Sequence, residues 1–395
     1  MNDTETRLRD YLHTKAADVP DSVHGPGLEL DATGTSARRG WVPMALAAAS
    51  IGAVLLLAVT FLNSLGGNQP DAAAPLPAGA VSTEAPRIPY GITLANNPDN
   101  PLDTWWATIH DGKTTVKNPG LKGNLVARLG EGWLVTTGYG DPKKSQVVIV
   151  SKDGKTRPIG PLGADTPAVS PDGKQLALMV GPYGAKDSQV VVVNVDDGKE
   201  VSRLRIPTPM LSSFGWNKAG IWMYANNADR TPMYLWQPGS PEARKLPELG
   251  SEIALASGSD TFGYSTPNGK TGYCAKAATL GASGPEVKRQ YCSDKAALHS
   301  ISLSPDGGTM VVGGPWVAAD VASGRNIKLK LPAGLVGTSP VAFENATDLL
   351  VLGLVPDKTP TKPTAQTIYR CRVTTGECKS LVTEKPGEVF ALAKR

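Results

Sequence analysis

The chain has 395 residues, 41% hydrophobic, 6% aromatic and 19% charged, with a formal net charge of +4. With 43 glycines and 33 prolines this composition excludes wholesale disorder and coiled coil. So small a net charge, spread over scattered basic pairs such as Lys143-Lys144 and Lys288-Arg289, also argues against nucleic-acid binding.

Residues 1–40 carry five Lys/Arg against seven Asp/Glu. Leu8, Tyr11, Leu12, Ala16 and Val19 follow a helical period, Glu5 and Arg9 stand at i,i+4, and Pro20 stops the run. A helix of about 15 residues is marginal alone, so the stripe over residues 3–19 forms fully only against a partner or a bilayer surface. A solvated tail is the competing reading. With His13 and His24 as its only histidines and no cysteine, the segment has no zinc-ligand spacing.

Residues 41–65, from Trp41 to Leu65, form one uncharged apolar run, long enough at ~1.5 Å per residue to cross a ~30 Å hydrocarbon layer. Arg38 and Arg39 precede it and the next basic residue is Arg87, so a single-pass helix has its N-terminus inside and its bulk outside. A cleaved leader ending at Ala78-Gly79-Ala80 competes, but the polar segment ahead of the run is too long for one. Residues 66–89, rich in Pro, Ala and Gly, read as an extended spacer.

Beyond the spacer an internal repeat sets the fold. Ser170-Pro171-Asp172-Gly173-Lys174 and Ser304-Pro305-Asp306-Gly307-Gly308 each precede an apolar run. They lie about three periods of a ~40–45-residue four-stranded propeller blade apart. Weaker copies fall between and outside them, at Phe214 to Asn217, Ala256 to Gly258, Gly130 to Trp133 and Ala342 to Asn345. Asp111-Gly112, Asp153-Gly154 and Asp197-Gly198 mark hairpins in the same register. The expected fold is all-β, a propeller over residues 90–395 with seven blades and six or eight as the alternatives, and Val389 to Ala393 return to pair with the first blade and close the ring.

The S-P-D-G-K turn with its apolar strand resembles the repeat of TolB-type propellers, a WD-repeat-like architecture. The whole layout, with Leu8-Arg9-Asp10 and Ala16 to Pro20 in a short tail, one membrane helix and a propeller, looks like actinobacterial membrane proteins that accompany extracytoplasmic-function sigma factors. That likeness implies a sigma factor as cytoplasmic partner, although the His and paired-Cys zinc motif common in such proteins is absent.

All four cysteines, 274, 292, 371 and 378, follow the apolar run, which suits an oxidising compartment. Of three possible pairings the local one is favoured, Cys274 with Cys292 and Cys371 with Cys378. Catalytic patterns are missing: His110 and His299 fall in different blades, and there is no G-x-S-x-G elbow or P-loop. Asp111, Asp153, Asp172, Asp197 and Asp306 precede glycine and read as turn residues. Trp133, Trp216, Trp222 and Trp236 read as blade core. No metal or cofactor is expected.

Equivalent loops of three repeats carry Tyr139 and Lys143, Tyr183 and Lys186, and Asn227 and Arg230. If they converge, they form an aromatic and polar ring suited to a protein, peptide or glycan. The expectation is a non-enzymatic membrane-anchored binding propeller that signals through residues 3–19. The alternatives are a surface glycan-active enzyme using a rim carboxylate such as Asp141 or Asp187, and a passive envelope scaffold.

Overall fold

The computed structural model describes residues 81–94, 105–117, 123–138, 144–180, 188–206, 211–225, 233–246, 249, 253–269, 272–293, 300–333, 335, 341–354, 366–383 and 388–393. The expected tail, membrane helix and first part of the spacer lie outside them. Among the described residues no helix is long and apolar enough to cross a membrane. The chain divides into Met1–Ala73 and Ala74–Arg395, and the fold below belongs to the second unit.

Alternating apolar runs punctuated by Asp-Gly turns produce seven four-stranded antiparallel sheets. Blade 1 contains β1 (Tyr90–Leu94), β2 (Trp105–Asp111) and β3 (Thr114–Lys117). Blade 2 is β4 (Gly123–Leu129), β5 (Gly132–Thr137), β6 (Gln146–Val150) and β7 (Thr156–Pro158). Blade 3 is β8 (Ala164–Val169), β9 (Gln175–Val180), β10 (Ser188–Asn194) and β11 (Glu200–Ile206). Blade 4 is β12 (Leu211–Asn217), β13 (Gly220–Ala225), β14 (Met233–Trp236) and β15 (Arg244–Leu246). Blade 5 is β16 (Ile253–Leu255), β17 (Phe262–Asn268), β18 (Gly272–Leu280) and β19 (Pro285–Ser293). Blade 6 is β20 (Ser300–Leu303), β21 (Thr309–Gly313), β22 (Val317–Asp320) and β23 (Asn326–Lys328). Blade 7 is β24 (Val341–Phe343), β25 (Asp348–Leu354), β26 (Gln366–Arg372) and β27 (Cys378–Thr383).

The expected closure is present. β28 (Glu388–Leu392) pairs antiparallel with β1, Tyr90 opposite Leu392 and Ile92 opposite Phe390. Blade 1 therefore runs β28-β1-β2-β3, and β28 touches β4 of the next blade as the other first strands touch their neighbours. The ring's last strand is the innermost strand of its first blade.

Apolar clusters lie between blades. One joins Val190 and Val192 of blade 3 to Ile221, Met223 and Trp236 of blade 4, and another joins Val311 of blade 6 to Phe343 and Val351 of blade 7. Sheets covered on both faces need continuous apolar strands, which explains why Val190 to Val193 and Leu349 to Val351 are all buried. Trp133, Trp222 and Trp236 are core side chains as expected, and Trp216 is partly buried against Ile221 and its neighbours.

The outermost strand of each blade is an unpaired edge. Four of the seven are only three or four residues long; the longer ones, β11, β19 and β27, each contain a one-residue register shift, around Val201, Lys288 and Leu381. Such bulges twist an edge away from further pairing.

The expected disulfides are present. Cys274 lies opposite Cys292 across β18 and β19, and Cys371 opposite Cys378 across β26 and β27, each with a Cα separation of 4.0 Å.

Residues 81–89 correct the sequence reading, which put them in the spacer. Val81, Pro86, Ile88 and Pro89 are buried, and the segment is strapped to blade 7. Arg370 on β26, 2% exposed, donates Nη1 to the carbonyls of Ser82 and Glu84, and Nη2 to that of Ala85. Its Nε and Nη2 also grip the buried Glu344 carboxylate, which accepts the Arg87 backbone N–H as well. All five guanidinium N–H groups are used. A spacer-like composition conceals this because the strap is held through its carbonyls, which every residue has.

Two outcomes are expected. Arg370→Met leaves Glu344 buried without its cation and lowers the unfolding free energy in a denaturant titration by about 3–5 kcal/mol, whereas Arg370→Met with Glu344→Met recovers part of that loss. The second concerns Tyr273, whose phenol is pushed up to about 12 from 10.0 by burial and then by Tyr291. Because the folded phenol is the weaker acid, its contribution to stability is complete below about pH 10 and lost as pH rises towards 12. Tyr273→Phe flattens that alkaline arm of a pH–stability curve.

Candidate functional site

Antiparallel order gives the propeller two unlike ends. One, the turn end, carries the connections from first to second and from third to fourth strand of each blade. The other, the loop end, carries those from second to third strand and from blade to blade.

The turn end is built from the repeat motif. In Ser170 to Lys174, the Ser170 hydroxyl donates to Asp172 Oδ1 at 2.6 Å and accepts the Gln175 N–H at 2.9 Å, while the Lys174 N–H reaches the same carboxylate at 3.1 Å. Gly173 takes φ +73°, a conformation that disfavours other residues. The copy at Ser304 to Gly308 repeats each bond, with Asp306 accepting from Ser304 at 2.5 Å and from the Gly308 N–H at 3.0 Å. These bonds to the ionised form hold Asp172 below the usual carboxylate range, the Ser170 hydroxyl having the largest effect.

Neighbouring turns are also tied together. The Lys218 N–H donates to Ser259 O at 3.1 Å and the Gly258 N–H to Pro305 O at 2.8 Å, linking blades 4, 5 and 6. Farther out, Arg157 reaches Val195 O at 3.1 Å and Arg244 reaches Ala282 O at 3.3 Å, each binding a fourth strand to the next blade's hairpin turn. Arg289 makes the same reach to Gly324 O.

The buried carboxylates have structural partners. Asp111, read as a turn residue, is also a buried bridge between blades 1 and 2, accepting Trp133 Nε1 at 2.9 Å and Arg128 at 2.8 Å. Asp348 pairs with Arg372 at 2.9 Å and Glu344 with Arg370. His110 stacks on Tyr90 with ring centroids 5.0 Å apart and meets Thr108 at 2.9 Å and Thr115 at 3.3 Å. His299 lies outside the described residues. Among the described residues no group of three His, Cys, Asp or Glu side chains is arranged to hold a metal.

The loop end is where the sequence placed its binding ring. Tyr139 and Lys143 fall between β5 and β6, Tyr183 and Lys186 between β9 and β10, and Asn227 and Arg230 between β13 and β14. All six lie outside the described residues, as do Asp141 and Asp187. The strands that bracket them are equivalent in three consecutive blades. At the foot of the first loop Ser145 Oγ donates to Gly138 O at 3.1 Å, and Gly138 adopts φ +68° with Lys144 O only 2.4 Å from where a Cβ would stand.

Three features of this end were invisible to motif reading. Trp316, between β21 and β22, holds φ +53°, unusual for a bulky side chain, and its carbonyl accepts the Leu329 N–H at 2.8 Å. Tyr273, near the start of β18, and Ser300, at the start of β20, have buried hydroxyls with no partner among the described residues. A hydrophobic or small polar residue in a Gly-rich stretch gives no sequence signal of either kind.

No protein-family model matches the sequence. No curated protein matches it either. Among solved structures, the chain is similar to an oligogalacturonate lyase in complex with manganese, at 12% identity and TM-score 0.49 over 68% of this chain and 82% of that one. It is also similar to Kuenenia stuttgartiensis hydrazine synthase, at 14% identity and TM-score 0.46 over 65% and 79%. The β-propeller domain of Myceliophteria thermophila Cps50 (Swd1) matches at 13% identity and TM-score 0.43 over 66% and 85%. At these levels the likenesses carry no function, and the seven-bladed propeller rests on the strand order of the chain itself.

Proposed function

We propose that the chain is a non-enzymatic, membrane-anchored protein that presents its propeller outside the cell to bind a protein, peptide or glycan, and that residues 3–19 contact a cytoplasmic partner such as a sigma factor. The observation that carries the binding half is the contrast between the two ends. Turns at one end are tied by hydrogen bonds to themselves and to neighbouring blades, which makes a stiff base. The connections at the other end hold the aromatic and polar residues Tyr139, Lys143, Tyr183, Lys186, Asn227 and Arg230. Loops on a rigid frame are the usual carriers of recognition.

Placement outside the cell is supported by two cross-strand disulfides and by Arg38 and Arg39 ahead of the uncharged run 41–65. Binding rather than catalysis is supported by the engagement of Asp111, Glu344 and Asp348 with arginines and of Asp172 and Asp306 with their own turns. Signalling rests on the amphipathic stripe of the tail.

In-cell crosslinking with mass spectrometry tests both halves. The comparison is full-length protein, a version with residues 3–19 scrambled, and one carrying Tyr139→Ala, Tyr183→Ala and Arg230→Ala. The expected result is a cytoplasmic protein captured only by the intact tail, and an envelope protein or glycan whose capture falls at least tenfold in the loop variant. Capture unchanged by scrambling removes the signalling half; capture unchanged by the loop substitutions removes the binding assignment.

A further inference from the structure

One strand holds both ends of the ring's chain. Side chains alternate along β26, and Gln366, Ile368 and Arg370 share a face. Gln366 Oε1 accepts the Phe390 backbone N–H of β28 at 2.8 Å. Ile368, fully buried, belongs to the apolar cluster that contains Ile88, Tyr90, Phe390 and Ala393. Arg370 grips the strap through the carbonyls of Ser82, Glu84 and Ala85. The segment that enters the propeller and the strand that closes it are thus fixed by three successive side chains of blade 7.

The opposite face of β26 carries Cys371, fully buried and bonded to Cys378 on β27. The bond lies beside the register shift at Leu381 and beside the hairpin turn, whose Gly376 carbonyl accepts the Lys330 N–H from the blade 6 side at 2.7 Å. Cys371 is the immediate neighbour of Arg370 in sequence, so a change in the backbone at one is felt at the other. Cys274–Cys292 is also a cross-strand bond, in blade 5, remote from both ends of the ring.

We propose that β26 is a redox-sensitive clasp: the Cys371–Cys378 disulfide holds the strand in the position from which Gln366 and Arg370 retain β28 and the strap, and its reduction frees both end segments together while the other blades stay folded. A dithiol reductant performs the step by exchange. Its thiolate attacks one sulfur of the disulfide, its second thiolate displaces the mixed disulfide, and the products are two protein thiols and one cyclic disulfide. The inference uses only contacts within the propeller and is independent of what the loop end binds.

Hydrogen exchange read by mass spectrometry on full-length protein tests it. The first sample carries Cys274→Ser and Cys292→Ser, leaving the clasp bond as its only disulfide, and is compared before and after reduction of the folded protein with dithiothreitol. The second carries Cys371→Ser and Cys378→Ser. The expected result in both is exchange at least tenfold faster in peptides covering 81–94 and 388–393, with peptides of blades 3 and 4 unchanged. Unchanged protection of the two end segments after the bond is verified as reduced overturns the clasp. So does release of one end without the other, or a uniform loss of protection throughout the propeller.

Discussion

The strap that enters the ring is held by one buried ion pair. Removing a guanidinium and a carboxylate from water costs several kcal/mol each, and their attraction offsets this only when every remaining donor is also matched. Arg370 meets that condition by dividing its five N–H groups between Glu344 and three carbonyls of the strap. The pair therefore does less to raise stability than to select one arrangement: displace the strap, and three donors lose their acceptors at once. Apolar packing alone would tolerate a shifted strap, because Val81, Pro86 and Ile88 have no directional preference.

The two ends of the propeller express different constraints on the same chain. At the turn end, Ser-Pro-Asp-Gly and its relatives satisfy their own backbone and then each other, so residue identity there is fixed by geometry. At the loop end, Gly138 with Ser145 closes the foot of a connection. A fold divided in this way can change what it recognises without changing how it stands.

Legibility from sequence followed the range of the interactions. The Asp-Gly and Ser-Pro-Asp-Gly turns are complete within six residues, so their spacing pointed to the blades and bounded their number between six and eight, and the cysteines, each close in sequence to its partner, favoured the local pairing. The return of Val389 to Ala393 was legible because a ring leaves no other use for a terminal apolar strand. Arg370 with Glu344 was not: the copy Ala342 to Asn345 marks a turn but not a partner for Glu344, and Arg370 donates to carbonyls nearly 300 residues away in sequence. Asp111 was half legible: its turn is visible locally, while its bond to Trp133 depends on the next blade. The six loop residues were chosen by equivalence between repeats, and that equivalence is preserved in the strands on either side of them.

The composite first blade also governs how the propeller is made. Six blades form from hairpins whose partners are near in sequence, but β1 must wait for β28, with Tyr90 meeting Leu392. Loop closure over so long a separation is entropically costly and kinetically late, since a growing share of the chain must already be ordered before the contact is rewarded. During that interval the inner edge of blade 1 and the apolar faces of Tyr90 and Ile109 stand open to water and to other chains. The slowest event in folding and the period of greatest exposure to aggregation therefore coincide at one seam, and proteins that assist folding have a single, defined place to act.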